Sequence, residues 1–331
     1  MRSLAGVLKT RRASSAGEPI TWTLQSTGLE DFQLFDVRAG SDGNWVAVGL
    51  YHTAPKDFPA LVINDTINPT DAWTSKTLSY SGSREIYTVD FDGVNWCISM
   101  TKTYHNSWSI YTTTNPYNAW IENRTSLLHD TPSKLRYLNG IFLGAFHSYS
   151  TYVTTNPDGW WRNEQKPFVT QPAKDFAYGD GYWVTIGHGS LNISYTMDPY
   201  GSWSVPYETF DFTVNSIAYG NGYWVIVGYN GKIATCYGNP TGTWSVTTIP
   251  GDDQLMSVYF ANNAWVITSG WNGRIFTCGL SPNGPWTERF SGTPTTYFNS
   301  VYYYNGYWVA VGYSRIDSVL TGIIATAVPG V

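Results

Sequence analysis

The segment Tyr219-Gly220-Asn221-Gly222-Tyr223-Trp224-Val225-Ile226-Val227-Gly228 constrains the fold more than any other stretch. It reads as the end of one strand, a tight turn and a second strand opening on a Trp. Asn and Gly tolerate the positive φ that a two-residue hairpin demands. Twenty residues after Trp224, the turn Asn239-Pro240-Thr241-Gly242-Thr243 delivers Trp244 into another strand. This unit recurs. Seven copies of the first turn lead to Trp45, Trp96, Phe142, Trp183, Trp224, Trp265 and Trp308. Six copies of the second lead to Trp73, Trp120, the pair Trp160-Trp161, Trp203, Trp244 and Trp286. The spacing is 41 residues from Trp183 to Trp224 and from Trp224 to Trp265, and 43 from Trp265 to Trp308. Trp45 to Trp96 is longer, at 51, because Tyr51 to Pro59 form an insertion.

A repeat of about 40–45 residues with four short strands has the length of a propeller blade. The sequence therefore predicts an all-β, seven-bladed β-propeller of four-stranded antiparallel blades over residues 19–331. The last repeat supplies three strands, Phe298–Tyr303, Trp308–Gly312 and Leu320–Thr326, before the sequence ends. The missing fourth is Ile20-Thr21-Trp22-Thr23-Leu24, whose Trp22 has no turn before it. Pairing both ends of the chain in one blade removes the exposed edges of an open array.

Aromatics at 17%, 32 glycines and charged residues at only 13% suit short strands and tight turns. The net charge of -5 argues against a nucleic-acid binder working by phosphate attraction. No apolar run approaches a membrane span, and Leu4–Leu8 is too short for a signal peptide. The charge is uneven: Arg2, Lys9, Arg11 and Arg12 give residues 1–12 a charge of +4, leaving -9 on the remainder. Residues 1–18 thus read as a basic arm that docks on a neighbouring protein, with an arm folded back on its own domain as the alternative. Cys97, Cys236 and Cys278 form no disulfide framework and read as small buried side chains.

The turn Asp198-Pro199-Tyr200-Gly201-Ser202-Trp203 resembles a degenerate Asp-box of sialidase-type propellers, Ser-x-Asp-x-Gly-x-Thr-Trp. With its Gly-Asn-Gly-Tyr-Trp-Val-x-Val-Gly half, the whole unit looks like repeats of minor tail proteins of phages infecting actinobacteria. The resemblance covers residues 19–331. It implies a virion component, made in the host cytoplasm, that joins other tail proteins and contacts a glycan or protein of the host surface. Asn stands for Asp in most boxes, and Phe142 for Trp in the third repeat.

Catalytic signatures are sparse. A sialidase needs an Arg triad and a Tyr-Glu pair, and no Arg-Ile-Pro motif precedes the repeats. Other glycosidases need two nearby carboxylates. Asp36, Asp90 and Asp175 fall in or beside predicted innermost strands and read as solvated channel carboxylates. His52, His105, His129, His147 and His188 lack metal-ligand spacing. The expectation is a protein with no catalytic residue, metal or cofactor. A propeller glycosidase and a purely architectural tail component are the alternatives.

The turns after the first and third strands of each blade are uniform, whereas the connections on the other face vary. Diverse loops on a regular scaffold usually meet the target. Just beyond the second strands lie Tyr51, Tyr104, Tyr149, His188, Tyr229, Trp271 and Tyr313. They are the candidate ligand-binding residues, with packing onto the adjacent blade as the alternative.

Overall fold

In the computed structural model, residues 20–328 are described apart from 26, 54–55, 79–82, 103–107, 124–131, 147–149, 160, 164–166, 169–170, 188–192, 206–209 and 252–253. The proposed arm, with Arg2, Lys9, Arg11 and Arg12, lies outside the described residues, as do Tyr104, Tyr149 and His188. The described chain forms seven antiparallel sheets, the blades of a β-propeller. Their innermost strands are Phe32–Ala39, Ser83–Phe91, Pro132–Leu138, Ala173–Gly179, Val214–Gly220, Leu255–Ala261 and Thr296–Tyr304. We number the blades 1 to 7 in this order. Blade 7 closes as its residues foretold: Thr21–Leu24 pairs antiparallel with Val319–Val328, Thr21 opposite Val328 and Leu24 opposite Ala325. The chain then follows the same hairpin outward, Gly322 N donating to Leu29 O and Asp31 N to Leu320 O.

Two expectations need correction. Blade 4 has three strands, and its fourth is a single bridge between Tyr195 and Ser204. Pro206 follows two residues later and has no N–H to extend a ladder. The insertion Tyr51 to Pro59 is also more than a loop. Trp45–Thr53 and Lys56–Asn64 run on as a paired hairpin, with Tyr51 opposite Phe58 and Thr53 opposite Lys56. Tyr307–Ile316 and Val319–Val328 do the same in blade 7, turned by Asp317 (φ 47°) and Ser318 (φ 70°).

The repeat motif can now be explained residue by residue. At the first turn of blades 3 to 7 both central residues take positive φ, as in Asn221 (48°) and Gly222 (79°), whereas in blades 1 and 2 only Gly43 and Gly93 do. Gly220 precedes the turn because a Cβ there would meet the ring of Phe260 in the next blade at 2.3 Å. Every innermost strand carries a bulge at one common position, the blade 5 bulge falling between Val214 and Ser216. Gly228 faces that bulge, and a Cβ would meet Thr213 O at 2.0 Å. The final Gly of Val-Ile-Val-Gly thus exists to admit the bulged neighbour.

The second turn is held by three bonds. Asn239 Oδ1 accepts from Thr241 N at 2.9 Å, an Asx turn. The Trp244 indole N–H donates back to Pro240 O at 3.1 Å. Equivalent indole bonds reach Pro69, Pro116, Pro157 and Pro282. A side chain ending the third strand donates to the carbonyl before the Pro: Thr113, Thr154 and Thr196 by hydroxyl, Cys236 and Cys278 by thiol. The two cysteines are buried and take the place of the hydroxyl.

The core is divided into seven clusters, one at each seam between blades. Each seam receives the first-turn Trp of one blade, or Phe142 in blade 3, against aliphatic side chains of the blade before it. Trp224, for example, packs with Val184, Ile186 and Ile193. A second ring, such as Tyr219 at 4.6 Å from Trp224, caps it in six blades. An indole buries on the order of 200 Å².

Trp224 is fully buried and its N–H donates to Gly238 O at 2.8 Å, whereas Trp203 is half-buried with an unbonded indole N–H. Trp224→Ala is therefore expected to cost ~3–5 kcal/mol by denaturant unfolding, with Trp203→Ala costing less.

Candidate functional site

Two regions bring chemistry-bearing side chains together: the central channel and the face carrying the diverse connections, here the loop face. In the channel, the residue that follows the bulge is polar in every blade: Asp36, Thr88, Lys134, Asp175, Ser216, Ser257 and Ser300. Strand alternation then places Arg38, Asp90, Arg136, Ala177, Ala218, Tyr259 and Tyr302 one tier further along. The bulge thus sets one common register, and the sequence fills it differently in each blade.

Asp36 is the hub. Its Oδ1 accepts from Ser300 Oγ at 2.7 Å and from Arg38 Nη1 at 3.2 Å, and its Oδ2 from Thr88 Oγ1 at 3.0 Å and Lys134 Nζ at 3.2 Å. Lys134 belongs to blade 3, which does not neighbour blade 1, so the carboxylate reaches across the channel axis. Arg136 links Asp36, at 3.6 Å, to Asp175, at 2.9 Å. Arg38 Nε lies 3.6 Å from Asp90. Three acids and three bases balance. Asp36 and Asp175 are 0% and 1% exposed and Asp90 is 8% exposed, so the expected solvated carboxylates are in fact buried ion pairs. The reason is placement: each acid sits in the same tier as, or one tier from, a basic residue of its own or a nearby blade.

Burial raises the Asp36 carboxyl, but Arg38, Lys134, Arg136 and the Ser300 hydroxyl override it and hold it well below the ordinary range. For Asp90 burial wins over Arg38 and Arg136, and its carboxyl is raised. Burial and Arg136 pull the Lys134 ammonium down against the pull of Asp36. Lys174, at the bulge of blade 4, is brought down to about 8 by burial, with Asp175 opposing. Its Nζ donates to Asn215 Oδ1 at 2.8 Å.

On the loop face, four of the seven candidate aromatics are described. Tyr51 packs on Phe32 at 4.7 Å and is half-buried, so it serves the blade. Tyr229 is exposed and opens the short turn Tyr229–Gly231. Trp271 and Tyr313 are brought together by Tyr297, a residue the sequence reading missed. Tyr297 stacks on Tyr313 with centroids 4.8 Å apart and planes 12° apart, and meets Trp271 edge-on at 5.8 Å. Trp271 is 54% exposed, with its N–H tied to Gln254 Oε1 at 3.1 Å. Its signal is the register: it opens an innermost strand and lies opposite Tyr313. The cluster spans blades 6 and 7 beside the extended blade 7 hairpin, whose tip exposes Ile316 and Val319. No histidine lies on any innermost strand.

No family model and no curated protein matches the sequence. Solved structures do match in shape. YCF48 bound to D1 peptide superposes with a TM-score of 0.70 at 15% identity, over 98% of this chain and 100% of that one. A catalytically inactive virginiamycin B lyase from Staphylococcus aureus with quinupristin gives 0.71 at 12%, over 93% and 99%. The WD40 β-propeller domain of Doa1 gives 0.63 at 14%, over 91% and 96%. At such identities the likeness shows the propeller fold, on which an enzyme and non-enzymatic binders both occur.

The channel network yields a stability prediction. Asp36→Asn removes the shared partner of three bases and should cost ~3–5 kcal/mol at pH 7. The folded carboxyl titrates below the ordinary 3.8, so the unfolded chain takes up its proton first as pH falls. The contribution is full above about pH 4 and fades below it, so the gap between wild type and variant should narrow there in denaturant titrations.

Proposed function

We propose that this chain is a non-enzymatic binding component of a bacteriophage tail tip, contacting the host surface through its loop face. The observation that carries the reading is the Trp271–Tyr297–Tyr313 cluster. Flat, partly exposed rings fixed by a strand register lose little entropy on binding and suit the apolar face of a sugar ring. The virion setting rests on the repeat's resemblance to phage minor tail proteins. The basic arm, through Arg2, Lys9, Arg11 and Arg12, is proposed to dock on another tail protein.

The engagement of the channel carboxylates favours a binder over a glycosidase. A general acid or nucleophile must reach its substrate. Asp36 and Asp175 are buried and spend their oxygens on Arg, Lys and hydroxyl partners. The solved propeller with a bound peptide supports the broader point that such a ring can carry a protein ligand.

Virions carrying Trp271→Ala together with Tyr297→Ala should adsorb to host cells about tenfold less well, with unchanged protein melting. Parental adsorption would favour the architectural role instead. Sugar released from host cell-wall polysaccharide by the purified protein, and lost in Asp36→Asn, would favour the enzyme. Deleting residues 2–17 should leave a folded propeller that fails to enter virions, as read by immunoblot of purified particles.

A further inference from the structure

Between the channel network and the hairpin turns lies a cavity of about 190 Å³, lined by residues of all seven blades. It is on the opposite end of the channel from the loop face, because its lining comes from the final residues of the innermost strands. Its floor carries Arg38, Asp90 and Arg136, and its wall carries Tyr137, Tyr178, Tyr219, Tyr259 and Tyr302. Ile217, Val258 and Val301 complete an apolar belt.

The floor is electrostatically unequal. Asp90 spends both oxygens on backbone: Oδ1 accepts from Phe91 N at 2.9 Å and Oδ2 from Tyr137 N at 3.0 Å. Arg38 is 5% exposed, and its Nη1 serves Asp36 and Val37 O while its Nε faces Asp90. Arg136 uses Nε on Asp175 and Nη1 on Leu135 O. The second terminal nitrogen, Nη2, of each guanidinium has no acceptor among the described residues. Two guanidiniums lining a Tyr-walled pocket suit a carboxylate, which accepts from two N–H groups at once. The Arg38 guanidinium also lies over the Tyr302 ring, 4.8 Å from its centroid, which holds it at the cavity floor.

We propose that this cavity binds the C-terminal residue of a partner polypeptide, with its α-carboxylate on Arg38 and Arg136 and an aromatic or aliphatic side chain against the tyrosines. A cavity of about 150 Å³ accommodates benzene, so the space here fits one side chain with its terminal group and little more. The apolar belt favours such a side chain over a hydroxyl-rich sugar acid. The proposal builds on the reading of the chain as an assembly component. A neighbour held at the turn face would leave the loop face free.

The test is fluorescence anisotropy of the purified full chain with fluorescein-labelled Gly-Gly-Gly-Phe, as free acid and as C-terminal amide. The acid should bind about tenfold or more tighter than the amide. Ala218→Leu fills the cavity without touching a charged residue, and it should abolish acid binding while the melting temperature stays close to that of the parent. Arg38→Lys should reduce the acid preference. Equal binding of acid and amide overturns the proposal, as does acid binding that survives Ala218→Leu. Absence of binding by tetrapeptide acids ending in Phe, Leu or Ala overturns it too, whether or not glucuronate binds in their place. No host cell enters this assay. Failed adsorption therefore counts only against the loop-face reading, and equal acid and amide binding counts only against the peptide site.

Discussion

The seam between blades is the interaction on which everything else rests. No blade has a core of its own; each of the seven clusters is made by two neighbours. A four-stranded sheet with both faces apolar is stable only when both are covered. A ring is the arrangement that covers all of them, and so the final seam must close. Trp45 of blade 1 meets Val309, Val311 and Ile324 of blade 7. Trp22, in the outer strand of blade 7, packs in the seam with blade 6 beside Val266 and Ile275. The break in covalent continuity falls inside blade 7, between its third and outer strands, and pairing of Val319–Val328 with Thr21–Leu24 bridges it before the chain runs on into blade 1.

What could be read from the sequence was local. The turns are legible because positive φ and the Asx-Pro geometry act within a few residues, and each writes its own signature. Trp positions are legible because they follow the turns. Even the closure was legible, since it follows from counting outer strands. The hairpin extensions escaped because Tyr51–Pro59 and Tyr313–Val319 look like polar, irregular loops, and only their cross-strand partners make them strands. The channel escaped for a stronger reason. Asp36 and Lys134 are 98 residues apart, and nothing in either repeat announces the other. Tyr297 is not legible because it lies on the innermost strand, and only its register opposite Tyr313 brings it to the rings at the end of the second strand.

The common bulge joins these two scales. It forces Gly at the facing position of strand two in blades such as 5 and 7, and it turns one polar side chain per blade toward the axis. A repeat under only structural constraint would fill that tier with one residue type. Blades 5, 6 and 7 do so, with Ser216, Ser257 and Ser300. Blades 1 to 4 instead carry Asp36, Thr88, Lys134 and Asp175, matched in charge across the axis. Buried ion pairs seldom exceed well-packed apolar groups in stability, and their advantage lies in specifying one arrangement over others. Here each charge has a partner in a particular blade, so the network distinguishes the correct ring from one shifted by a repeat. Near-identical repeats otherwise invite such a slip.

That same network decides where ligands can sit. A balanced set of six charges occupies the middle of the channel and separates its two ends. The ends differ in kind. At the turn face, hairpins of nearly constant length surround a concave pocket floored by Arg38 and Arg136. On the loop face, the extended hairpins of blades 1 and 7 stand beside open rings whose edges are tied down by Gln254 and by stacking. A concave pocket of this size suits one terminal group, whereas an open ring surface tolerates a repeating polymer. On the proposed reading, a propeller with one of each would serve as an adaptor, gripping a defined chain end on one side and meeting a repetitive surface on the other.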